Sequence, residues 1–352
     1  MKIKNYRVLG IMSGTSLDGL DMALCNFKYL NQKWNFELIA THFIEYSNDW
    51  KEKLTNLFYN NKNINKIELQ YSQFVSKSIN NFIKKYNLEV DYISSHGHTI
   101  FHNPEKGITK QIGRGDIIFK KTNIPVAYNF REQDVKLGGQ GAPLVPYGDV
   151  LLFSNYESCL NLGGFSNISF KKKNKVIAFD ICPLNIVLNY LAEKKGFSFD
   201  KEGDLASKGK INLDLLRNLN SISYYKKSPP KSLGKEWLEK LFLSELNNYN
   251  LNTNDLLSTC VEHFSFQISN TFYRFNIKNC FVSGGGVFNK FLMSQIINKT
   301  KTKLIVPPKK IVMFKEAIIF AFLGLLRFRD EVNCLSEITG SSVDHSSGDI
   351  CC

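Results

Sequence analysis

The 352-residue sequence has no apolar run approaching the roughly 20 residues that a membrane-spanning helix needs. Its first residues, Met-Lys-Ile-Lys-Asn-Tyr, lack the apolar core of a secretory signal and lead directly into a predicted strand. None of the eight cysteines has the Cys-x-x-Cys spacing of metal or redox sites, and several lie in apolar patterns where cysteine packs as a small hydrophobe. We therefore expect a cytoplasmic protein with reduced thiols and no membrane partner.

Acidic residues are fewer than basic ones, which leaves a formal charge of +13. The lysines are spread along the chain, and the short cluster Lys171–Lys173 falls in a predicted turn, as expected for a solvated face. We therefore expect no nucleic-acid partner. A general positive field favours anionic small molecules as ligands.

Two successive parts of the chain open with the same pattern of three strands followed by helices. The predicted strands of the first part are 6–11, 22–27 and 36–43, and those of the second part are 158–162, 168–170 and 176–179. In each part a turn rich in glycine follows the first strand. The repetition indicates an internal duplication.

The duplication predicts two α/β lobes, an N-terminal one at residues 1–150 and a C-terminal one at residues 151–352. Two lobes with similar turns can face each other across a cleft and hold the phosphates of a nucleotide. This is the two-lobed, actin-like (ribonuclease H-like) architecture of the sugar kinase, heat-shock cognate and actin superfamily. The tail from Ser341 to Cys352 is rich in Ser, Asp and Gly, and we expect it to be frayed.

The segment from Gly14 to Asp21, Gly-Thr-Ser-Leu-Asp-Gly-Leu-Asp, joins the first two strands. A strand–turn–strand of this composition can wrap backbone N–H groups and hydroxyls around a phosphate. Asp18 and Asp21 fit beside phosphate only if a divalent cation lies between them. An ordinary hairpin turn has the same residue types. A similar glycine turn at Gly163-Gly164, after the first strand of the second part, favours the phosphate-binding interpretation.

A third glycine turn, Gly284-Gly285-Gly286, lies between a predicted strand and a helix that starts near Asn289. Glycines there let the backbone approach a flat ligand, and the start of the helix favours negative charge. In a two-lobed kinase this junction is where adenosine lies. A flexible turn is the alternative.

Asp180 follows a predicted strand and is flanked by Phe179 and Ile181. A carboxylate between apolar neighbours is a candidate general base, because partial desolvation raises its pKa towards the useful range. The alternative is a helix N-cap, since Pro183 and a helical pattern follow. The spacing alone does not decide between them.

His96 and His98 alternate at the end of a predicted strand and could present two imidazoles to one side, as in a zinc site. No third and fourth ligand lie nearby in the sequence, so hydrogen bonding to a sugar or to the backbone is favoured. Arg131 could bind a carboxylate through two hydrogen bonds, or pair with Glu132 or another acid.

Together these segments resemble one family, the anhydro-N-acetylmuramic acid kinases. The most specific match is the run Gly-Gly-Gln-Gly-Ala-Pro-Leu-Val-Pro at 138–146. The other matching stretches are 14–21, 95–99, 130–137, 160–168, 179–185, 229–236, 283–289 and 315–317. They occur in the family's order over nearly the whole chain.

The resemblance implies an ATP-dependent enzyme that acts with Mg²⁺ in cell-wall recycling and forms a homodimer. Water attacks the anomeric carbon of 1,6-anhydro-N-acetylmuramic acid, and the freed O6 takes the γ-phosphoryl group to give N-acetylmuramic acid 6-phosphate. By position Asp180 corresponds to the aspartate that activates the water. A kinase for another amino sugar, without ring opening, and a nucleotide-dependent switch ATPase are the alternatives.

The resemblance also suggests roles for individual residues. The expected ATP-binding residues are Gly14, Thr15, Ser16, Leu17, Asp18, Gly19, Leu20, Asp21, Gly163, Gly164, Gly284, Gly285 and Gly286. Asp18 is the expected metal ligand. His96, Arg131 and Asn185 are the expected sugar-binding residues.

The sequence departs from the family's pattern beside the expected catalytic residue. Many members continue after this aspartate with Thr-Gly-Pro-Gly-Asn, whereas here the residues at 181–185 are Ile-Cys-Pro-Leu-Asn. Asn129 replaces a usual Asp, and His98 replaces a common Gln. These differences bear on the fit of the sugar more than on the use of ATP.

Overall fold

The computed structural model describes residues 5–14, 16–59, 63–173 and 175–352. Its contacts divide the chain into two compact units. The first contains the described residues up to Ser154 together with Phe314–Cys352, and the second is Asn155–Met313. The division differs from the sequence-based one at 150/151, because the C-terminal segment belongs with the N-terminal unit.

Both units are built from strands and helices. Within the described residues the strands are β1 (Asn5–Ser13), β2 (Gly19–Leu30), β3 (Lys33–Glu45), β4 (Tyr92–Asn103), β5 (Ile108–Ile112), β6 (Val126–Tyr128), β7 (Ser158–Leu162), β8 (Phe165–Lys172), β9 (Lys175–Pro183), β10 (Asn279–Ser283), β11 (Lys303–Ile305) and β12 (Asp349–Cys351). The helices are α1 (Asn48–Tyr59), α2 (Ile64–Tyr86), α3 (Gly115–Thr122), α4 (Glu132–Lys136), α5 (Val145–Leu152), α6 (Asn185–Glu193), α7 (Asp204–Ser207), α8 (Leu213–Ser221), α9 (Lys235–Trp237), α10 (Ser244–Asn247), α11 (Thr253–Phe275), α12 (Lys290–Lys299), α13 (Lys309–Phe328) and α14 (Ser336–Thr339).

The sheet of the first unit has the order β12-β6-β4-β1-β2-β3, with β5 paired to β4. Strands β1, β2 and β3 are antiparallel neighbours, whereas β1, β4 and β6 run parallel. Helix α2 buries Tyr71, Val75, Ile79 and Phe82 in the same core as the sheet. Their spacing of three to four residues places them on one face of the helix.

Helix α13 approaches the sheet of the first unit closely, which two glycines permit. A Cβ at Gly10 in β1 would overlap the carbonyl oxygen of Ala317, and a Cβ at Gly324 would overlap the Ser94 side chain in β4. Ser94 Oγ also donates a hydrogen bond to the carbonyl oxygen of Phe320. The helix backbone therefore lies directly against the strands that lead into the first glycine turn.

The second unit repeats the plan of the first. Its sheet has the order β11-β10-β7-β8-β9. Strands β7, β8 and β9 are antiparallel neighbours, and β7, β10 and β11 run parallel. The strand order and directions match those of β6-β4-β1-β2-β3. The predicted duplication and the actin-like, ribonuclease H-like fold class are confirmed.

The C-terminal tail is ordered, so the prediction of a frayed tail was wrong. Strand β12 pairs antiparallel with β6 at the edge of the first sheet. Upstream, the buried Asn333 amide donates hydrogen bonds to the carbonyl oxygens of Leu323 and Ser347, and Ser347 Oγ donates to that of Phe130. Small polar residues suggest a solvated tail, but here they satisfy buried backbone groups.

Candidate active site

The first glycine turn connects β1 to β2, as predicted, within an antiparallel pair. Leu17 adopts a positive φ of 60° and donates its N–H to the Gly14 carbonyl oxygen at 3.3 Å. Ser16 and Asp18 are exposed, while Gly19 and Leu20 are buried in the start of β2. Thr15 lies outside the described residues. The tip of the turn thus offers polar groups to solvent, whereas Leu20 can contribute only its backbone.

The Asp21 carboxyl group, beside this turn, is influenced by two other carboxyl groups of the first unit. Burial raises the pKa of Asp21 to about 7, and the charges of Glu316 and Asp18 add to the rise. Glu316, in α13, has an exposed side chain, but surrounding protein removes part of the water from its carboxyl group. This desolvation raises the pKa of Glu316, and the positive charges of Lys315 and Arg131 oppose the rise. Mutually repelling carboxylates are the oxygen donors that a hard divalent cation prefers.

Arg131 and His96 form a hydrogen-bonded pair in the first unit. Arg131 Nε donates to His96 Nε2 at 2.9 Å, and Arg131 Nη1 donates to the Gly141 carbonyl oxygen at 3.3 Å. His96 Nδ1 lies 2.9 Å from the Gly97 carbonyl oxygen and donates to it. Because Nε2 accepts from Arg131, the ring carries a proton only on Nδ1 and is neutral. Burial, followed by the charge of Arg131, lowers the pKa of His96 well below its usual value.

His98 belongs to a different network. Its Nδ1 lies 2.9 Å from Ser13 Oγ, which lies 2.6 Å from the Tyr46 hydroxyl. Gly97, between the histidines, has a φ of 76°, which interrupts the regular alternation of the strand. Within the described residues neither histidine belongs to a group of three or more potential metal ligands. The zinc interpretation of His96 and His98 is therefore not supported.

In the second unit, Asp180 lies within β9 and is held by three hydrogen bonds. Its Oδ2 accepts from the Leu233 N–H at 2.8 Å, its N–H donates to the Lys231 carbonyl oxygen at 3.2 Å, and its own carbonyl oxygen accepts from the Tyr224 hydroxyl at 2.6 Å. Burial raises the pKa of the carboxyl group, although the bond from Leu233 opposes the rise. Asp180 is not a helix cap, because α6 begins at Asn185 after the cap residue Leu184.

Lys231 belongs to the same segment as Leu233, and this segment is hydrogen-bonded to Asp180. Its Nζ lies 4.5 Å from the centre of the Tyr224 ring and 5.6 Å from that of Phe179. Burial is the main reason that its pKa falls to about 8. Sequence reasoning assigned no role to Lys231, Leu233 or Tyr224. For Lys231 and Leu233 the signal was the resemblance of 229–236 to the family, and Tyr224 lies outside that stretch.

The second glycine turn, between β7 and β8, is hydrogen-bonded to the start of α6. The carbonyl oxygen of Gly164 accepts from the Leu184 N–H at 2.8 Å, and that of Gly163 accepts from the Asn185 N–H at 3.2 Å. The Asn185 side chain donates to the Leu162 carbonyl oxygen at 2.9 Å. These bonds place Asn185 on the predicted phosphate turn.

The third glycine turn borders a pocket of about 360 Å³ in the second unit. Its lining includes Asn185, Leu188, Phe199, Glu202, Gly285 and Phe288. Phe199 and Phe288 are 56% and 44% exposed. At Gly284 φ is 85°, and a Cβ there would overlap the Asn161 side chain, so the turn requires glycine. The pocket offers aromatic rings and a side-chain-free backbone, which suits a flat ring.

The sequence model of the anhydro-N-acetylmuramic acid kinases matches this chain over residues 6–352. The chain belongs to that family. An anhydro-N-acetylmuramic acid kinase of Caldanaerobacter subterraneus subsp. tengcongensis is 31% identical over 372 residues, covering 95% of this chain and 94% of the relative. One of Sulfurimonas denitrificans is 31% identical over 367 residues, covering 97% and 98%. The family assignment makes the protein a kinase, as predicted.

Solved structures of other proteins resemble this chain over most of its length at low sequence identity. Component A of (R)-2-hydroxyglutaryl-CoA dehydratase from Acidaminococcus fermentans is 11% identical, with a TM-score of 0.48, over 91% of this chain and 97% of that one. A ROK family glucokinase from Streptomyces griseus in complex with glucose and AMPPNP is 9% identical, with a TM-score of 0.41, over 91% and 99%. No helix in the described residues of this family member combines the length and apolar character needed to cross a bilayer.

For this member of the kinase family, the structure groups the expected site residues within each unit. In the first, charge interactions link Asp18, Asp21, Glu316 and Arg131, and His96 bonds to Arg131. In the second, Asn185 joins the second and third glycine turns. Glu316 was missed as a site residue although it lies in the matching stretch 315–317, because a lone glutamate in an apolar helix gives no sign of its neighbours. Phe199 was missed because it lies outside the stretches that match the family, and Phe288, which lies within 283–289, was missed because the glycines of that stretch carried the interpretation.

Proposed function

We propose that this protein uses ATP and Mg²⁺ to open 1,6-anhydro-N-acetylmuramic acid hydrolytically and to phosphorylate O6, yielding N-acetylmuramic acid 6-phosphate for cell-wall recycling. The observation that carries the proposal is the environment of Asp180 in a member of this family. A kinase for a ready-made hydroxyl needs one proton acceptor for that hydroxyl, whereas ring opening requires a base for water. A partly buried carboxylate with a raised pKa suits this task.

Asp180 would act as the base through the oxygen that does not bond to Leu233. The Leu233 N–H holds Oδ2 and so fixes the plane of the carboxylate. Oδ1 then accepts a proton from water, whose oxygen attacks the anomeric carbon. The bond from that carbon to the bridging oxygen breaks, and the bridging oxygen, now O6, attacks the γ-phosphorus as ADP leaves. Base catalysis of this kind typically contributes a factor of about 10² to 10⁴.

The Gly14–Asp21 turn would hold the phosphates, with Asp18 as the metal ligand. Asp21 and Glu316 fit the same cation, because the charge of Glu316 already contributes to the raised pKa of Asp21. Mg²⁺, when bound there, would neutralise charge on the phosphate oxygens. Phosphoryl transfer depends mainly on such positioning and neutralisation, so backbone N–H groups and carboxylates suffice for this half of the reaction.

The pocket beside Gly285 would take the adenosine. Phe199 and Phe288 present aromatic surface for the base, and the absence of side chains at Gly284–Gly286 lets the backbone approach it. Gly163, Gly164 and Asn185 would form the adjoining phosphate side. In this arrangement Asn185 orients the turn through the Leu162 carbonyl oxygen instead of contacting the sugar.

Arg131 would bind the lactyl carboxylate of the sugar. Its bonds to His96 and Gly141 use two of its N–H groups and leave others for a planar, two-point contact with a carboxylate. His96 is 2% exposed and would act through Arg131. We also propose, from the resemblance, a cytoplasmic homodimer, which light scattering would detect as twice the 40.3 kDa chain mass.

The test is turnover of 1,6-anhydro-N-acetylmuramic acid with ATP and Mg²⁺ in ¹⁸O-labelled water. We expect one label at C1 of a 6-phosphorylated product and one ADP per product. ADP release without a ring-opened product would reject the proposal in favour of a switch ATPase. Phosphorylation of N-acetylmannosamine or another amino sugar, with the anhydro sugar left intact, would favour the other sugar kinase.

A further inference from the structure

Asp134, Cys334 and His345 form a cluster in the first unit, outside the groups assigned to the reaction. Asp134 lies in α4, whereas Cys334 and His345 pair with each other through an isolated β-bridge in the tail. The three side chains are 0%, 1% and 8% exposed. One potential ligand atom from each lies within 4.8 Å of the others, and no other group of this kind occurs in the described residues.

The separations suit a tetrahedral metal ion. Cys334 Sγ lies 3.1 Å from Asp134 Oδ1, and His345 Nε2 lies 3.7 Å from the same oxygen. Bonds of about 2.0–2.3 Å to Zn²⁺ place neighbouring ligand atoms of a tetrahedron about 3.4 Å apart. Little movement is therefore needed for all three atoms to bind one ion.

His345 points an unpartnered nitrogen into the cluster. Its Nδ1 lies 3.0 Å from the Val343 carbonyl oxygen, which can only accept, so Nδ1 carries a proton. Its Nε2 is buried and has no hydrogen-bond partner among the described residues. A histidine that donates one ring N–H to a backbone carbonyl and turns the other nitrogen inward has the arrangement of a metal ligand.

Asp134 is held in position from both sides. Thr339 Oγ1 donates to Oδ1 and the Gly141 N–H donates to Oδ2, each at 2.6 Å. A Cβ at Gly139 would overlap the carboxylate, so glycine is required there. Hydrogen bonds that fix a ligating carboxylate are typical of the surroundings of a metal.

We propose that Asp134, Cys334 and His345 bind one Zn²⁺ ion, with water in the fourth position. Sulfur, nitrogen and oxygen donors in a tetrahedral arrangement favour zinc over magnesium or calcium. The ion displaces the Cys334 thiol proton, which leaves to solvent. One carboxylate and one thiolate then balance the two positive charges of the ion, so the buried site is neutral.

The site is structural and joins the tail to α4 and the residues that follow it. Besides the Asp134 contacts, the Gln140 N–H donates to the Thr339 carbonyl oxygen at 2.7 Å, and the Ser342 N–H donates to that of Leu137 at 3.0 Å. The ion adds metal–ligand bonds between α4, through Asp134, and the tail, through Cys334 and His345. Its loss therefore loosens the tail without removing a group from the reaction.

The test starts from protein stripped with a chelator and titrated with Co²⁺, whose thiolate complexes absorb in the near ultraviolet. We expect about one equivalent to bind with this absorption, Zn²⁺ to displace it, and Zn²⁺ to raise the melting temperature. Binding should strengthen with pH, because the Cys334 thiol must lose its proton to bind the ion.

Variants assign the ligands. Cys334→Ser should abolish the thiolate absorption, and His345→Gln should weaken Co²⁺ binding at least about 100-fold. The control Cys351→Ser/Cys352→Ser removes the other tail thiols and should bind like the unsubstituted protein. No thiolate absorption in the unsubstituted protein, or absorption that survives in Cys334→Ser, would overturn the proposal. The first result would leave Asp134, Cys334 and His345 as a buried cluster that binds no metal ion. That conclusion does not depend on whether the variants fold.

Discussion

Arg131 donates a hydrogen bond from Nε to Nε2 of His96, and the two atoms lie 2.9 Å apart. The bond requires that His96 Nε2 carry no proton. The hydrogen bond from Nδ1 to the Gly97 carbonyl oxygen keeps the proton of the ring on Nδ1 and leaves Nε2 as an acceptor. Burial of the ring and the nearby positive charge both oppose protonation. The pair therefore fixes the direction of the guanidinium over the physiological pH range.

Replacing His96 by Leu should impair sugar binding through Arg131. A hydrogen bond to a charged group is worth about 1.5–3 kcal/mol, so we expect KM for the anhydro sugar to rise about 10-fold or more, with KM for ATP unchanged. Gln at 96 offers an acceptor oxygen and should recover part of the loss. Steady-state kinetics of both variants measure the effect, and equal sugar KM values for Leu and Gln would contradict it.

The variant Asp180→Asn should keep ATP binding and lose turnover by at least roughly 10², because an amide cannot take a proton from water. Its side-chain oxygen can still accept from the Leu233 N–H. Asp214→Asn, at an exposed position paired with Arg217, is the control and should behave normally. Near-normal turnover of Asp180→Asn would remove Asp180 as the base.

Alanine at Phe199 or Phe288 should raise KM for ATP without lowering kcat. Loss of aromatic stacking of about 0.5–1.5 kcal/mol corresponds to a two- to roughly tenfold weaker interaction. Phe197→Ala is the matched control, because Phe197 is 54% exposed but does not line the pocket. Equal KM values for ATP in all three variants would place adenosine elsewhere.

Stability should fall as the pH drops below about 6.5. Burial lowers the pKa of His98 to about 4 and that of His263 to about 3, so the unfolded chain binds protons in this range that the folded chain excludes. Each such histidine contributes a slope of up to about 1.4 kcal/mol per pH unit. Urea unfolding between about pH 7 and pH 5 should show a smaller slope for His263→Gln; an unchanged slope would contradict the prediction.

Lys315 and Asp149 form a buried ion pair, with Nζ and Oδ1 2.8 Å apart and both side chains 6% exposed. Lys315→Met should cost about 3–5 kcal/mol of unfolding free energy, because it removes the cation beside the buried Asp149 carboxylate. Adding Asp149→Asn should recover part of that cost. Lys208→Met, which breaks an exposed pair with Asp204, should cost under about 1 kcal/mol. Denaturant unfolding compares them, and similar costs for both single variants would refute the argument.

Periodicity and turn composition sufficed for much of the fold. Strand β7 has its predicted bounds, 158–162, and β1, predicted at 6–11, spans Asn5–Ser13. His96 and His98 were expected at the end of a strand, but β4 continues beyond them to Asn103. Its polar run resembles a turn, yet Ser94 and His98 are buried because partners distant in sequence satisfy their polar groups. The strand propensity of the local sequence gives no information about those distant partners.

By itself the sequence determined the elements, the glycine turns and the duplication, because hydrophobic spacing and backbone freedom are properties of neighbouring residues. Only the tertiary structure decided which polar groups meet: Asp180 with Leu233, Arg131 with His96, and Asp134 with Cys334, the last separated by 200 residues. Such pairs depend on the path of the chain through two sheets. Burial then changes the pKa of each group, and no local pattern records how deeply a side chain will be buried.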